Sequence, residues 1–477
     1  MGKLHILMIP YPVQGHVIPL MELAQSLAKY DLKITFANTE STHKLILNSL
    51  AGKNILPDQI HLISILDESE SGEDKNVPGK LSEAVFKIMP GKIEKLIQET
   101  NASDEDEKIT CVIADQSLGW AMEIADKMGI KRAAFLTAAA ANLVLGFSIP
   151  KLIDDGIIDN HGTPAIQDHT FQFEPTMPIM NTSDLVWTRM GNLTMQKIIF
   201  DMMVHNNKAV KSADWLICNS TYDLEPGAFN LAPEIVPIGP LLARNCVEPS
   251  MFPPEIEPRI SSKESPNSLA GSFWPEDSTC LNWLDQQPLC SVVYVAFGSF
   301  TIFKEAQFQE LALGLELSNI PFLWVVRSDA LDAKTDIFLK NFVKRIGRQK
   351  GKIVSWAPQQ KVLSHPSIGC FVSHCGWNST VEAISNGVPI LCWPYFADQF
   401  MNQSYICDIW KVGLGLKKEA NGIISCGEMK DKVEQLLGND AFKKRALQLK
   451  KMTMSSVKEG GRSHQNFINF IQWIKSS

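Results

Sequence analysis

The chain has 477 residues, of which 45% are hydrophobic and 20% charged, and its formal net charge is −7. A single hydrophobic core stops growing at roughly 250–300 residues, so this length calls for two domains. The acidic balance argues against a nucleic-acid or anionic-membrane surface and leaves any anionic ligand to local donors rather than a basic field.

The chain opens with "MGKLHILMIP", whose apolar stretch is short and lacks a small-residue cleavage site, so a first strand is expected rather than a secretory signal. No apolar run reaches the roughly 18–20 residues that a membrane span requires. "LHILMI" (4–9) precedes a segment in which Val17, Leu20, Met21, Ala24, Leu27 and Ala28 recur at helical spacing. "KITFAN" (33–38), a helix from about Lys80 to Thr100, "TCVIAD" (110–115), "GWAMEIADKMG" and "RAAFLT" (132–137) follow. This β-α alternation predicts a parallel sheet covered by helices.

Proline-rich residues 246–277 read as an interdomain linker between a domain over 1–245 and a second over 278–455. The second series runs "SVVYVAFGS" (291–299), "PFLWVVR" (321–327), "KIVSW" (352–356), "GCFVSHCG" (369–376) and "PILCWP" (389–394), with helices between. The expected fold class is α/β, with two Rossmann-like, doubly wound parallel-sheet domains facing across a cleft. Ten scattered cysteines, including Cys111, Cys218, Cys370 and Cys392 in apolar runs, predict reduced thiols and a cytoplasmic protein. A glycosylation sequon at Asn378, inside the stretch of greatest functional interest, favours the cytoplasm too.

In open α/β sheets, ligands sit beyond the carboxyl ends of the strands. Three junctions in the second domain therefore stand out: Ser299 in "FGSF", the run "HCGWNST", and "YFADQF" at 395–400. Gly376 permits close backbone approach, and a helix beginning near Asn378 or Ser379 offers free amide donors, which together make an anion site. Glu382, a turn on from Ser379, can accept hydrogen bonds from a ribose diol, and Trp356 can stack on a flat heterocycle. Each residue also has a plainer reading, with Ser379 an N-cap, Trp356 core and Glu382 a solvated helix position.

The segment "WAPQQKVLSHPSIGCFVSHCGWNSTVEAISNGVPILCWPYFADQ", 44 residues from Trp356 to Gln399, resembles the plant secondary product glycosyltransferase signature of family 1 UDP-glycosyltransferases. The N-terminal "PYPVQGH" and the chain length agree with it. The resemblance implies a GT-B fold with the UDP-sugar on the C-terminal domain, Trp356 over the uracil, and Ala357 and Gln359 at the base and ribose edge. Glu382 then meets the ribose, while His374, Asn378, Ser379 and Ser299 meet the diphosphate. Trp377, Asp398, Gln399 and Thr137 meet the sugar, and a Gln at the end of the signature points toward glucose. No metal or other cofactor is implied, and a monomer is expected. The final helix within 456–477, with Phe467, Ile468, Phe470, Ile471 and Ile474, is implied to pack back on the N-terminal domain.

In the first domain, "VQGH" places His16 at the junction after the first strand, and "CVIADQS" leaves Asp115 at the carboxyl end of another. A carboxylate fixes one imidazole tautomer and stabilises the imidazolium formed on proton uptake, which suits activation of an acceptor hydroxyl. The resemblance matches these two to the family's base and its partner. "FGSF" lacks the G-x-S-x-G elbow of a hydrolase, and no G-x-G-x-x-G marks a dinucleotide oxidoreductase. "DED" at 104–106 reads as a solvated charge run rather than a metal motif, and Cys370, His374 and Cys375 lack the second pair a zinc site needs.

The acceptor wall is expected from Leu118, Trp120, Phe135, Ala138, Asn142, Phe147, Trp187 and Phe200, with Phe396 from the second domain. By resemblance the acceptor is a small lipophilic phenylpropanoid, flavonoid or terpenoid taking the sugar at a hydroxyl or carboxyl. The loop 67–79 and residues 160–190 would set its identity. The alternative is a non-catalytic UDP-sugar-binding sensor, which needs the second-domain edge but not His16 and Asp115.

Overall fold

A computed structural model describes residues 4–50, 56–65, 84–103, 107–190, 192–245 and 272–476. The "DED" run and the loop 67–79 lie outside the described residues, as does most of the proline-rich segment. The chain divides into two compact units: 1–175, 181–274 and 454–477 form unit 1, and 176–180 with 275–453 form unit 2.

Unit 1 is built on a seven-stranded sheet. Its strands are β1 (His5–Ile9), β2 (Lys33–Thr39), β3 (Ile60–Ile65), β4 (Ile109–Asp115), β5 (Lys131–Leu136), β6 (Trp215–Cys218) and β7 (Ile235–Pro237). They lie in the order β3-β2-β1-β4-β5-β6-β7, every pair parallel. Helices α1 (Gln14–Ala28), α2 (Glu40–Leu50), α3 (Met89–Ser103), α4 (Gly119–Lys127), α5 (Ala140–Phe147) and α6 (Leu193–Val210) include the crossovers between these strands. The expected helix from about Lys80 is helical from the first described residue: a π-helical turn over Ala84–Ile88 runs directly into α3 at Met89, and residues 80–83 lie outside the described residues. Pro90, which has no N–H to donate, sits where the π-helical turn passes into α3.

One sheet face carries Ile6, Met8, Ile34, Phe36, Cys111, Ile113, Ala133 and Phe135, packed under Val17, Leu20, Met21, Ala24 and Leu27 of α1. Phe467, Ile468, Phe470, Ile471 and Ile474 of the C-terminal helix Arg462–Lys475 join this core. Burying a large apolar side chain contributes about 1.5–3 kcal/mol, so that helix is integral to unit 1. Asn466 Nδ2 and Lys131 Nζ fix it further by donating to Pro237 O (2.8 Å) and Trp473 O (2.7 Å).

Unit 2 holds a six-stranded parallel sheet of β8 (Val292–Ala296), β9 (Phe322–Val325), β10 (Gly351–Val354), β11 (Ile368–Ser373), β12 (Ile390–Cys392) and β13 (Gly413–Gly415). The order is β10-β9-β8-β11-β12-β13. In each unit the chain direction across the sheet reverses once, between β1 and β4 and between β8 and β11. Crevices at such switch points are where doubly wound sheets bind ligands.

Candidate active site

His16 and Asp115 come from the two strands that flank the unit 1 switch point. His16 is the third residue of α1, which follows β1, and Asp115 ends β4. His16 Nδ1 lies 2.7 Å from Asp115 Oδ2; the carboxylate is fully buried, whereas the imidazole is 29% exposed. A carboxylate only accepts, so Nδ1 is the donor in this bond. The other carboxylate oxygen accepts from Ser117 N at 2.8 Å. Thr137 joins this pair, its Oγ1 being 3.0 Å from His16 Nδ1 and 3.2 Å from Asp115 Oδ2.

Two distant side chains that the sequence did not single out brace these junctions. Asn206 of α6 accepts from Gly119 N (3.2 Å) and donates to Ser117 O (2.7 Å), clamping the turn after Asp115. A side chain at Gly119 would stand 2.8 Å from Asn206 Oδ1, which explains the glycine. Glu225 is completely buried and accepts from Ala140 N (3.1 Å), Ala141 N (3.0 Å) and Ser220 Oγ (2.6 Å). It thereby caps α5, whose own N-cap, Ala139, has no side chain able to do so. Burial raises its pKa to about 7 against the pull of those donors.

The unit 2 switch point carries the donor-type residues. α7 (Trp377–Asn386) starts one to two residues before the expected position, with Gly376 as N-cap, so Ser379 lies inside the first turn and is not the cap. The leading N–H groups of that turn have no intrahelical acceptors. Cys375 takes a left-handed φ of 65° to make the turn, and Gly298 one of 68°. His374 fills the space between, since a Cβ at Gly298 or Gly376 would fall 2.8 or 2.5 Å from its Nε2. Burial lowers the His374 pKa to about 4, and its Nδ1 has no partner. Thr301, just beyond Ser299, likewise holds a buried, unpaired hydroxyl that sequence reading passed over.

Glu382 is 8% exposed, not solvated, and burial raises its pKa to about 7. Gln359 ties the site together: Nε2 donates to Ser379 Oγ (2.9 Å) and Glu382 Oε2 (2.5 Å), while Oε1 accepts from Tyr294 OH (3.1 Å). Trp356 is half-exposed after β10, next to buried Ala357, and is therefore not core. Gln399 is buried and uses Oε1 to accept from Tyr395 N (2.7 Å) and Phe396 N (3.0 Å). Asp398 accepts from Asn402 Nδ2 (2.9 Å). The Trp377 indole is buried against Trp410, at 6.3 Å between ring centroids.

A sequence profile described as UDP-glucoronosyl and UDP-glucosyl transferase matches residues 278–458. UDP-glycosyltransferase 83A1 of Arabidopsis thaliana is 48% identical over 100% of this chain and 98% of its own. The chain belongs to the plant family 1 UDP-glycosyltransferases. Linamarin synthase 1 of Manihot esculenta is 34% identical, with 98% of this chain and 96% of its own covered. A UDP-glucose: anthocyanidin 3-O-glucosyltransferase in complex with UDP superposes with TM-score 0.80 at 25% identity, covering 100% of both chains. Phytolacca americana UGT2, complexed with UDP-2fluoro-glucose and pterostilbene, gives TM-score 0.77 at 26% identity over 99% of each. The fold is GT-B, and the protein is a UDP-glycosyltransferase of small molecules.

For this transferase the expected acceptor wall divides. Phe135 belongs to the core beneath α1, because its strand register sends it to the same face as Ile113 and Ala133. Trp187 and Phe200 are buried against each other at 5.2 Å, with the Trp187 Nε1 donating to Gly162 O (2.7 Å), and are interior packing. Phe147 supports Lys211, whose Nζ is 4.3 Å from the ring centroid. Leu118, Trp120, Ala138 and Asn142 remain at the β4 and β5 junctions near His16. Phe396 lies in unit 2 beside Phe300 and Tyr395. Among the described residues no cluster of three His, Cys, Asp or Glu side chains has the makings of a metal site, and no helix is long and apolar enough to cross a membrane.

Proposed function

We propose that the enzyme is an inverting glucosyltransferase in which His16 is the general base and Asp115 its orienting partner. The observation that supports this reading is the 2.7 Å bond from His16 Nδ1 to the fully buried Asp115 carboxylate, with the imidazole itself 29% exposed. Nε2 takes the proton of an acceptor hydroxyl or carboxyl. The acceptor oxygen bonds to the anomeric carbon from the side opposite UDP, and the sugar–phosphate C–O bond breaks with its electron pair passing to the β-phosphate oxygen. Glucoside, UDP and a proton on His16 are the products. The transition state sends charge toward the diphosphate, where the α7 amides and the Ser299, Asn378 and Ser379 side chains are preorganised donors. Trp356, Ala357, Gln359 and Glu382 hold the uridine, and Gln399 donates to the sugar hydroxyls.

The reaction runs without metal, because neutral donors take the place of a cation. The acceptor is a plant phenylpropanoid, flavonoid or terpenoid, and the thiols fit a reducing cytoplasm: the nine described cysteines are all unpaired. A non-catalytic sensor is disfavoured by the completed base network, which sugar binding alone does not need. NMR of the product formed from UDP-glucose in excess chelator tests this. The expected product is a β-glucoside at undiminished rate; an α-glucoside, or activity abolished by the chelator and restored by a divalent ion, would refute it.

A further inference from the structure

Among the described residues of unit 1, buried side-chain polar atoms without a hydrogen-bond partner occur at four residues. They are both amide atoms of Asn38, His43 Nδ1, Trp120 Nε1 and Asn142 Oδ1. All four lie on one edge of the sheet. Asn38 is next to last in β2, His43 is in the first turn of α2, and Trp120 and Asn142 open α4 and α5. This is the carboxyl edge, where α1 begins and carries His16 in its first turn. At the amino edge the same kinds of group are paired: His5 bonds Glu107 O (2.7 Å) and Thr35 Oγ1 (2.8 Å). At the carboxyl edge Asn219, which follows β6, is paired as well, accepting from Leu241 N (2.9 Å).

A buried amide without a partner is costly, and such groups persist where function uses them. Asn38 is 1% exposed. Register places it on the sheet face of Asp115, since Phe36 pairs with Met8 and Met8 with Ile113. With β1 between β2 and β4 and strands about 4.8 Å apart, Asn38 and Asp115 stand about 10 Å apart along the edge, the span of a two-ring molecule. The set offers donors (Asn38 Nδ2, Trp120 Nε1) and acceptors (Asn38 Oδ1, Asn142 Oδ1). An acceptor with one hydroxyl on a hydrocarbon frame would leave them bare.

We infer that the acceptor is multiply oxygenated, and that Asn38 is a specificity-determining residue binding a second hydroxyl while the first is presented to His16. This rests on the reading of His16 as the base. A hydroxyl both donates and accepts, as Asn38 requires, and a site built to bond a hydroxyl discriminates against the molecule lacking it.

The test compares 4-hydroxybiphenyl with 4,4′-dihydroxybiphenyl, and 2-naphthol with 2,6-dihydroxynaphthalene. Binding is measured by calorimetry in the presence of UDP, and transfer by product formation from UDP-glucose, for the wild type and Asn38→Leu. The wild type is expected to bind the dihydroxy member of at least one pair about tenfold or more tightly, and Asn38→Leu to shrink that ratio to about twofold. Because an unpaired amide is replaced by a hydrocarbon of similar shape, the melting temperature of Asn38→Leu should equal or exceed that of the wild type. No preference in the wild type, the same preference in both proteins, or a melting temperature lowered by several degrees would overturn the inference; the last would mean that the fold or a buried water holds the amide. Preferential binding without transfer would count against His16 as base and leave the role of Asn38 standing.

Discussion

Burial drives two side chains of the donor site in opposite directions: His374 down to about 4 and Glu382 up to about 7. His374 is therefore neutral at neutral pH, while Glu382 is close to half-protonated. A ribose diol donates to the ionised carboxylate, so binding UDP-glucose requires Glu382 to lose its proton. Calorimetric affinity for UDP-glucose is predicted to be flat above pH 7 and to fall by up to about tenfold per unit below it. Glu382→Gln should remove that slope; a slope that survives would assign it to another group. Asp115→Asn keeps the shape of the dyad but presents a donor or a neutral acceptor to Nδ1. It should lower kcat by about 100-fold to 10,000-fold with UDP-glucose binding retained.

The elements around the site depend on partners distant in sequence. The run "TAAAAN" contains no side chain that can cap α5, and Glu225, 85 residues beyond Ala140, supplies the cap. Glu225→Ala leaves two helix amides and Ser220 Oγ without it and should cost about 2–3 kcal/mol in urea unfolding. Ala139→Ser in that background should recover part of the loss, and no recovery would mean that capping is not the role of Glu225. Removing the C-terminal helix takes away five buried side chains and uncovers the core they pack on, a loss of about 7–15 kcal/mol set against a whole-protein stability of about 5–15 kcal/mol. The truncated chain is expected to be insoluble or unfolded by circular dichroism. The β-α junctions were legible in the sequence because long apolar strands end in polar residues at His16, Asp115, Ser299 and His374. The strands Trp215–Cys218, Ile235–Pro237 and Gly413–Gly415 were not, being too short for a period to register. Glu225 and Asn206 were illegible for another reason: alone, each reads as an ordinary polar residue, and only tertiary folding brings it to the turn it holds.

At the scale of the molecule, the buried ionisable groups impose a pH dependence on stability. Glu225 and Glu382 bind protons more tightly folded than unfolded, at about 7 against an ordinary 4.5, so their stabilisation is full below 4.5 and lost as pH rises through 7. The lowered histidines His5, His43 and His374 act oppositely, adding stability as pH rises, but only up to their ordinary 6.5. From pH 6.5 to 8 the carboxyls dominate. The melting temperature should therefore fall across that window, and less steeply in Glu382→Gln. The sequence also carried the resemblance that names the family, whereas it could not show that Phe135, Trp187 and Phe200, expected in the acceptor wall, are buried in the interior of unit 1. Apolarity alone does not say whether a residue faces a ligand or the core. The most direct test of the central claim is product formation by the wild type and His16→Ala at saturating UDP-glucose, followed by mass spectrometry over a panel of phenolic and terpenoid acceptors. The account predicts a hexose added to at least one acceptor by the wild type, and a loss of about 100-fold or more in His16→Ala with UDP-glucose still bound. Near-wild-type turnover by His16→Ala would contradict it.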